Sequence, residues 1–168
     1  MARRDWIGIG LACMLGVSSV PPAALAAGGG GGGNSRVEGA DSETMHAQAD
    51  YVAGVAAIKA ERWPDAIKAL DRHVSRNHRD ADGHNWLAYA YRKSGKLDAA
   101  FKHYKLALSF DPKHLGAHEY IGEAYVMAGQ PQEARKHLER LAALCGTQCE
   151  QYRDLAEAIE HNRVSSAK

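Results

Sequence analysis

Reactive side chains in this sequence are few, and their spacing limits the chemistry open to them. Cys145 and Cys149 stand four residues apart. In helical or turn geometry that spacing brings two Cα atoms to roughly 6 Å, within reach of a disulfide, and an oxidising compartment favours one. The pattern is neither the CxxC of a dithiol redox site nor the CxxCH of haem attachment. A structural bridge is expected, with a redox or metal role at the pair as the alternative. Nine histidines raise the question of a metal. His114 and His118 are i, i+4 neighbours, but no carboxylate or thiol is spaced to complete a ligand set, so no metal and no cofactor is expected. His84 and His118 recur 34 residues apart, as do His103 and His137, and repetition in register implies shared packing or exposure instead of ligation. No nucleophile stands with a base, and the six-glycine run at 28–33 lacks the Lys-Ser or Lys-Thr of a phosphate loop. The chain is expected not to be an enzyme.

Composition and the two ends narrow the class. With 168 residues, 21 Lys+Arg against 20 Asp+Glu and 45% hydrophobic side chains, the chain reads as one soluble domain. A net charge of +1 without a basic cluster argues against nucleic acid as a partner. No apolar run reaches the roughly 20 residues of a membrane helix, so no membrane span is expected. Residues 1–26 read as a signal peptide: Arg3 and Arg4, then an apolar stretch from Trp6 to Val20, then Ala24-Leu25-Ala26, with cleavage near Ala26. A twin-Arg export route and a lipoprotein site at Cys13 are the weaker variants, the latter leaving only a stub of apolar segment. Removing this segment takes out Arg3, Arg4 and Asp5 and leaves equal numbers of basic and acidic residues. The expected location is periplasmic or secreted. Residues 27–44 read as a Gly-rich flexible linker, 45–163 as the folded domain and 164–168 as a tail.

What must position any site is a repeat. From about Ser42 the apolar residues recur with helical periodicity, and a period of 34 fits frames starting at Ala47, Ala81 and Leu115. Position eight is Gly54, Ala88 and Gly122, where a small residue lets two helices approach. Position twenty is Ala66, Ala100 and Ala134, and position twenty-four is Leu70, Tyr104 and Leu138. Gly95 and Gly129 read as helix stops, Trp63-Pro64 and Asp111-Pro112 as boundaries, and Asp80 as an N-cap. Each frame is thus a helical hairpin, too small to bury its apolar face alone. Residues 149–162 form one more amphipathic helix that covers the exposed end.

On these positions the chain resembles the tetratricopeptide repeat family. The middle frame fits best, through Leu87, Ala88, Tyr91, Gly95, Ala100, Tyr104, Ala107 and Pro112. The first frame departs at Ala57, Glu61, His73 and His78, and the third at Leu141 and Gly146. The resemblance implies an all-α fold, a right-handed α-solenoid of three hairpins at about 47–80, 81–114 and 115–148 plus the cap helix. It also implies that ligands lie on the concave face of each first helix, which here places Tyr51, Val55, Asn85, Tyr89, Arg92, Glu119 and Glu123 on a partner-binding surface. That surface would be apolar at one end, polar-aromatic around Arg92 and acidic at Glu119 and Glu123, which suits an extended peptide or a partner helix with a basic portion. The basic and Asn clamp with which some family members grip a C-terminal carboxylate is not reproduced, since Tyr51 and Val55 occupy two of its places. A non-catalytic adaptor for a protein or peptide is therefore expected, with Asn85, Tyr89 and Arg92 as leading contacts. The alternative is a self-associating assembly component.

Overall fold

The computed structural model describes residues 37–166, all of whose regular elements are helices. They are α1 (Val37–Lys59), α2 (Trp63–Arg76), α3 (Ala81–Lys93), α4 (Leu97–Phe110), α5 (Leu115–Met127), α6 (Pro131–Cys145) and α7 (Glu150–Ser166). Three antiparallel hairpins, α1/α2, α3/α4 and α5/α6, stack in chain order, and α7 packs on both helices of the last. The all-α solenoid with a capping helix is therefore the observed architecture. The segment read as a signal, 1–26, lies outside the described residues.

Two element bounds differ from expectation. α1 begins at Val37, inside the stretch assigned to the linker. Residues 42–46 are exposed. Adding a turn to an existing helix costs far less than nucleating one, and the segment from 37 contains no proline. At the other end α7 runs to Ser166, past the expected 162.

The three hairpin turns share one hydrogen-bond pattern. Arg62, Lys96 and Gln130 donate their backbone N–H groups to the carbonyls of Ala57, Tyr91 and Tyr125 at 2.9, 2.9 and 2.8 Å. This is the bonding of a Schellman turn, which needs a residue with positive φ. Gly95 and Gly129 supply it at 75° and 70°, whereas the first turn uses Glu61 at 55°.

Packing follows the frames. Ala66, Ala100 and Ala134 are fully buried, as are Leu70 and Tyr104. At Gly122 an added Cβ would lie 2.5 Å from Leu155 of α7, so the bare backbone is what lets the cap settle onto α5. Leu141, a large residue at a position that is Ala107 in the frame before, is also fully buried and joins Leu155 and Ile159 in the last core cluster. It fills the space where the cap replaces a fourth hairpin.

His73 breaks the small-residue pattern for an identifiable reason. It is 2% exposed; its Nδ1 lies 2.8 Å from the Ala47 carbonyl and its Nε2 lies 2.6 Å from the Asp80 carboxylate, both acceptors for a ring N–H. Gly83 on α3 makes room for it, since a Cβ there would meet the ring at 2.6 Å. Asp80 meanwhile caps α3 by accepting the N–H of Asp82, so one carboxylate joins a buried ring to a helix start.

The repeated histidines join the two helices of a hairpin. His84 Nε2–H donates to the His78 carbonyl at 3.0 Å, which leaves its Nδ1 to accept from His103 Nδ1–H, also at 3.0 Å. His118 and His137 repeat this at 2.9 Å, with His118 Nε2–H donating to the Pro112 carbonyl at 3.1 Å. His103 and His137 each stack on a tyrosine of the facing helix, Tyr91 and Tyr125, at a centroid separation of 5.7 Å. His114 instead links a helix start to the preceding hairpin. Its Nδ1 accepts the Ala117 N–H and caps α5, and its Nε2–H donates to Asp82 at 3.0 Å.

Candidate functional site: the inner face of the solenoid

α1, α3 and α5 lie side by side in series, whereas α2, α4 and α6 do not meet one another. The first helices therefore crowd together on the inner side while the second helices spread on the outer side, and the inner face is the concave one. Its centre is an aromatic wall. Tyr89 stands 5.0 Å from Tyr120, 5.8 Å from Trp86 and 6.2 Å from Trp63, ring centroid to ring centroid. Two cations lie on these rings: Arg92 is 5.1 Å from Tyr89 and 5.5 Å from Tyr120, and Lys93 is 5.7 Å from Trp63.

The expected contact residues divide into two groups. Tyr51, Val55, Tyr89 and Glu123 are half-buried on the inner helices and remain reachable. Asn85 and Arg92, expected as leading contacts, are 3% and 7% exposed and are structural instead. Arg92 Nε–H donates to the Tyr104 hydroxyl at 3.3 Å, and Nη1 pairs with Glu123 at 2.5 Å. Within the expected polar-aromatic centre and acidic end, Arg92 and Glu123 thus neutralise each other, which leaves Glu119 at the acidic end. The residues that sequence reasoning missed are Trp86, Tyr120 and Trp63. Trp86 and Tyr120 share position six of consecutive frames, and that recurrence is the signal that could have found them; Trp63 shows in sequence only as a helix boundary beside Pro64.

Glu119 is 7% exposed, and its carboxyl has no donor among the described residues while its oxygens keep contact with solvent. Burial, together with Glu123, Asp154 and Glu150, pushes its pKa up to about 8 against the pull of Arg92. Burial also raises the Tyr89 hydroxyl above its usual value, and raises that of Tyr120 further. A cavity of about 380 Å³ opens among α3, α5 and α7, lined by Arg92 and Glu123 and by Val126, Met127 and Ala158. This arrangement can bind side chains by stacking, apolar contact and charge.

Elsewhere, the sulfurs of Cys145 and Cys149 stand 2.07 Å apart, a bonded distance, in the connection between α6 and α7. No group of three or more His, Cys, Asp or Glu side chains among the described residues is placed to hold a metal ion. None of the described helices is long and apolar enough to cross a membrane.

Comparison with known proteins places this geometry. Two tetratricopeptide repeat family models match residues 51–114 and 91–159, which together span most of the described solenoid. The TPR repeat-containing thioredoxin TTL4 of Arabidopsis thaliana is 26% identical over 104 residues, 62% of this chain, and the match spans only 15% of that protein. The Arabidopsis OM64 TPR domain superposes with a TM-score of 0.66 at 18% identity, covering 71% of this chain and 98% of that domain. The second TPR domain of human RPAP3, solved in complex with an HSP70 peptide, gives 0.64 at 23% identity, covering 70% and 98%. At these identities the structural likeness shows the fold.

Proposed function

The chain belongs to the tetratricopeptide repeat family, and on that premise we propose that it is a non-catalytic adaptor whose concave face captures a peptide or helix of a protein partner. The observation that carries this reading is the inner aromatic wall of Trp63, Trp86, Tyr89 and Tyr120, half-buried side chains on the face that the stacking of first helices makes concave. Amphipathic rings with few rotatable bonds are the groups on which interfaces concentrate binding energy. The RPAP3 domain, alike in fold, holds a peptide. Export through residues 1–26 to a periplasm or beyond belongs to the same proposal, and it would give Cys145 and Cys149 the oxidising surroundings that a structural bridge requires.

A photo-reactive residue in place of Tyr89 tests the groove in cells, with one in place of Lys105, exposed on α4, as the outer-face control. A discrete protein partner crosslinked only from the inner face is expected. Crosslinks solely between copies of this chain would replace the adaptor with a self-associating role. That second reading draws on Met45 and Val52, which are 72% and 57% exposed on the uncovered side of α1.

A further inference from the structure

Resting on the groove reading above, we infer that the captured segment is basic and presents an arginine whose guanidinium seats against Glu119 between α3, α5 and α7. The acidic end of the inner face holds more carboxyls than cations. Glu119 is faced by Arg92 from α3, by Glu123 on its own helix, and by Asp154 and Glu150 from α7. The one cation in that set is already taken by Glu123 at 2.5 Å. Glu119 is left mostly buried with no donor from the protein, its carboxyl oxygens still in contact with solvent.

A second orphan lies on the neighbouring helix. Asn85 is 3% exposed, and its Oδ1 has no hydrogen-bond partner among the described residues. Its amide nitrogen faces Gly116, one turn before Glu119 on α5, where an added Cβ would touch it at 3.6 Å. Asn85 Oδ1 is enclosed, so Glu119, whose carboxyl solvent still reaches, is the acceptor open to an incoming donor.

A carboxylate with two acceptor oxygens and no donor from the protein, beside aromatic faces, matches one side chain better than others. Guanidinium carries five N–H donors in a plane, accepts nothing, and stacks on rings. The wall already holds one guanidinium in this way, Arg92 on Tyr89 and Tyr120. Lysine would bring charge without the plane.

The test uses fluorescence anisotropy with a labelled ten-residue peptide in which three arginines are spaced among Leu, Ala and Gly, and twins carrying Gln or Glu in their place. The arginine peptide is expected to bind about tenfold more tightly than the Gln twin at pH 8.5, the order of one charge-assisted contact, with the Glu twin weakest. Glu119→Gln, which keeps shape and helicity, should remove most of that difference. Because the cation must displace the proton from Glu119, wild-type affinity should rise from pH 6.5 to 8.5, and in Glu119→Gln it should stay flat. Asp154→Asn, exposed on α7, gives a readout without risk to the fold: a smaller loss, about twofold to threefold at low salt. Gln or Glu twins that bind as well as the arginine peptide, or an affinity indifferent to Glu119→Gln, would overturn the inference. So would failure of all three peptides, while the Tyr89 crosslink decides the groove reading separately.

Discussion

At the scale of single residues, two departures from the repeat pattern have opposite energetic signs. His73 replaces a small side chain but uses both ring nitrogens, on the Ala47 carbonyl and the Asp80 carboxylate. Truncating it strands a carbonyl and a helix-capping carboxylate and opens a cavity between α2 and Gly83. His73→Ala should therefore cost about 3 kcal/mol, read as a lower urea midpoint at an unchanged slope. Glu61 gains nothing comparable. It occupies the left-handed position of the first turn, φ 55°, where the other two turns have glycine, and its side chain is exposed. Relieving that backbone cost makes Glu61→Gly stabilising by about 0.5–1 kcal/mol, measurable in the same titration. The sequence marks both positions as departures. What it does not show is the partner: Gly83, ten residues downstream of His73, is an ordinary glycine until the helices are packed.

Among elements, the hairpins were legible because the period of 34 repeats the physics of a close helix pair at Gly54, Ala88 and Gly122. The second hairpin is also where a resemblance in sequence and a packed core coincide most fully, through Leu87, Ala100 and Tyr104, all fully buried. The histidine pairs were legible only as a recurrence, and their geometry has a consequence for acid. Burial and the neighbouring imidazole push His103 and His137 down to about 4, from an ordinary value near 6.5. Folded-state values below the unfolded ones mean that between pH 6.5 and 4 the unfolded chain binds protons that the folded chain refuses. The stability these two rings contribute is then complete above about pH 6.5 and is lost as the pH falls through that window. The thermal midpoint should drop by several degrees between pH 7 and pH 4.5, followed by circular dichroism. Replacing His103 and His137 by Asn keeps an N–H near the place of Nδ1 and removes the titrating ring, so the double variant should show a flatter profile over the same range.

For the whole molecule, the fold could be read from the chain, while the chemistry of its inner face could be read only in part. Position within a frame tells which side of a helix a residue occupies, and that placed Tyr51, Tyr89 and Glu123 correctly on the inner helices. It does not tell which neighbours from the next hairpin will claim a side chain, so Asn85 and Arg92 look available in sequence when they are buried. The same reasoning bears on the two ends. The outer side of α7 shows Arg153, Asp154, Glu157 and Glu160 to solvent, whereas that of α1 shows Met45, Ala49, Val52, Ala53, Ala56 and Ala60. A polar end facing an apolar one does not favour head-to-tail stacking, which leaves pairing through two copies of α1. That stripe spans sixteen residues, about 24 Å of helix, and most of its side chains are single methyl groups. Two such stripes bury roughly 500 Å² in total, well short of the 1,200 Å² at the lower bound of stable interfaces. The chain should therefore sediment as a monomer at micromolar concentration. Val52→Lys should leave its sedimentation coefficient unchanged, whereas a wild-type dimer dissociated by that substitution would show that α1 reaches further contacts than its own stripe provides.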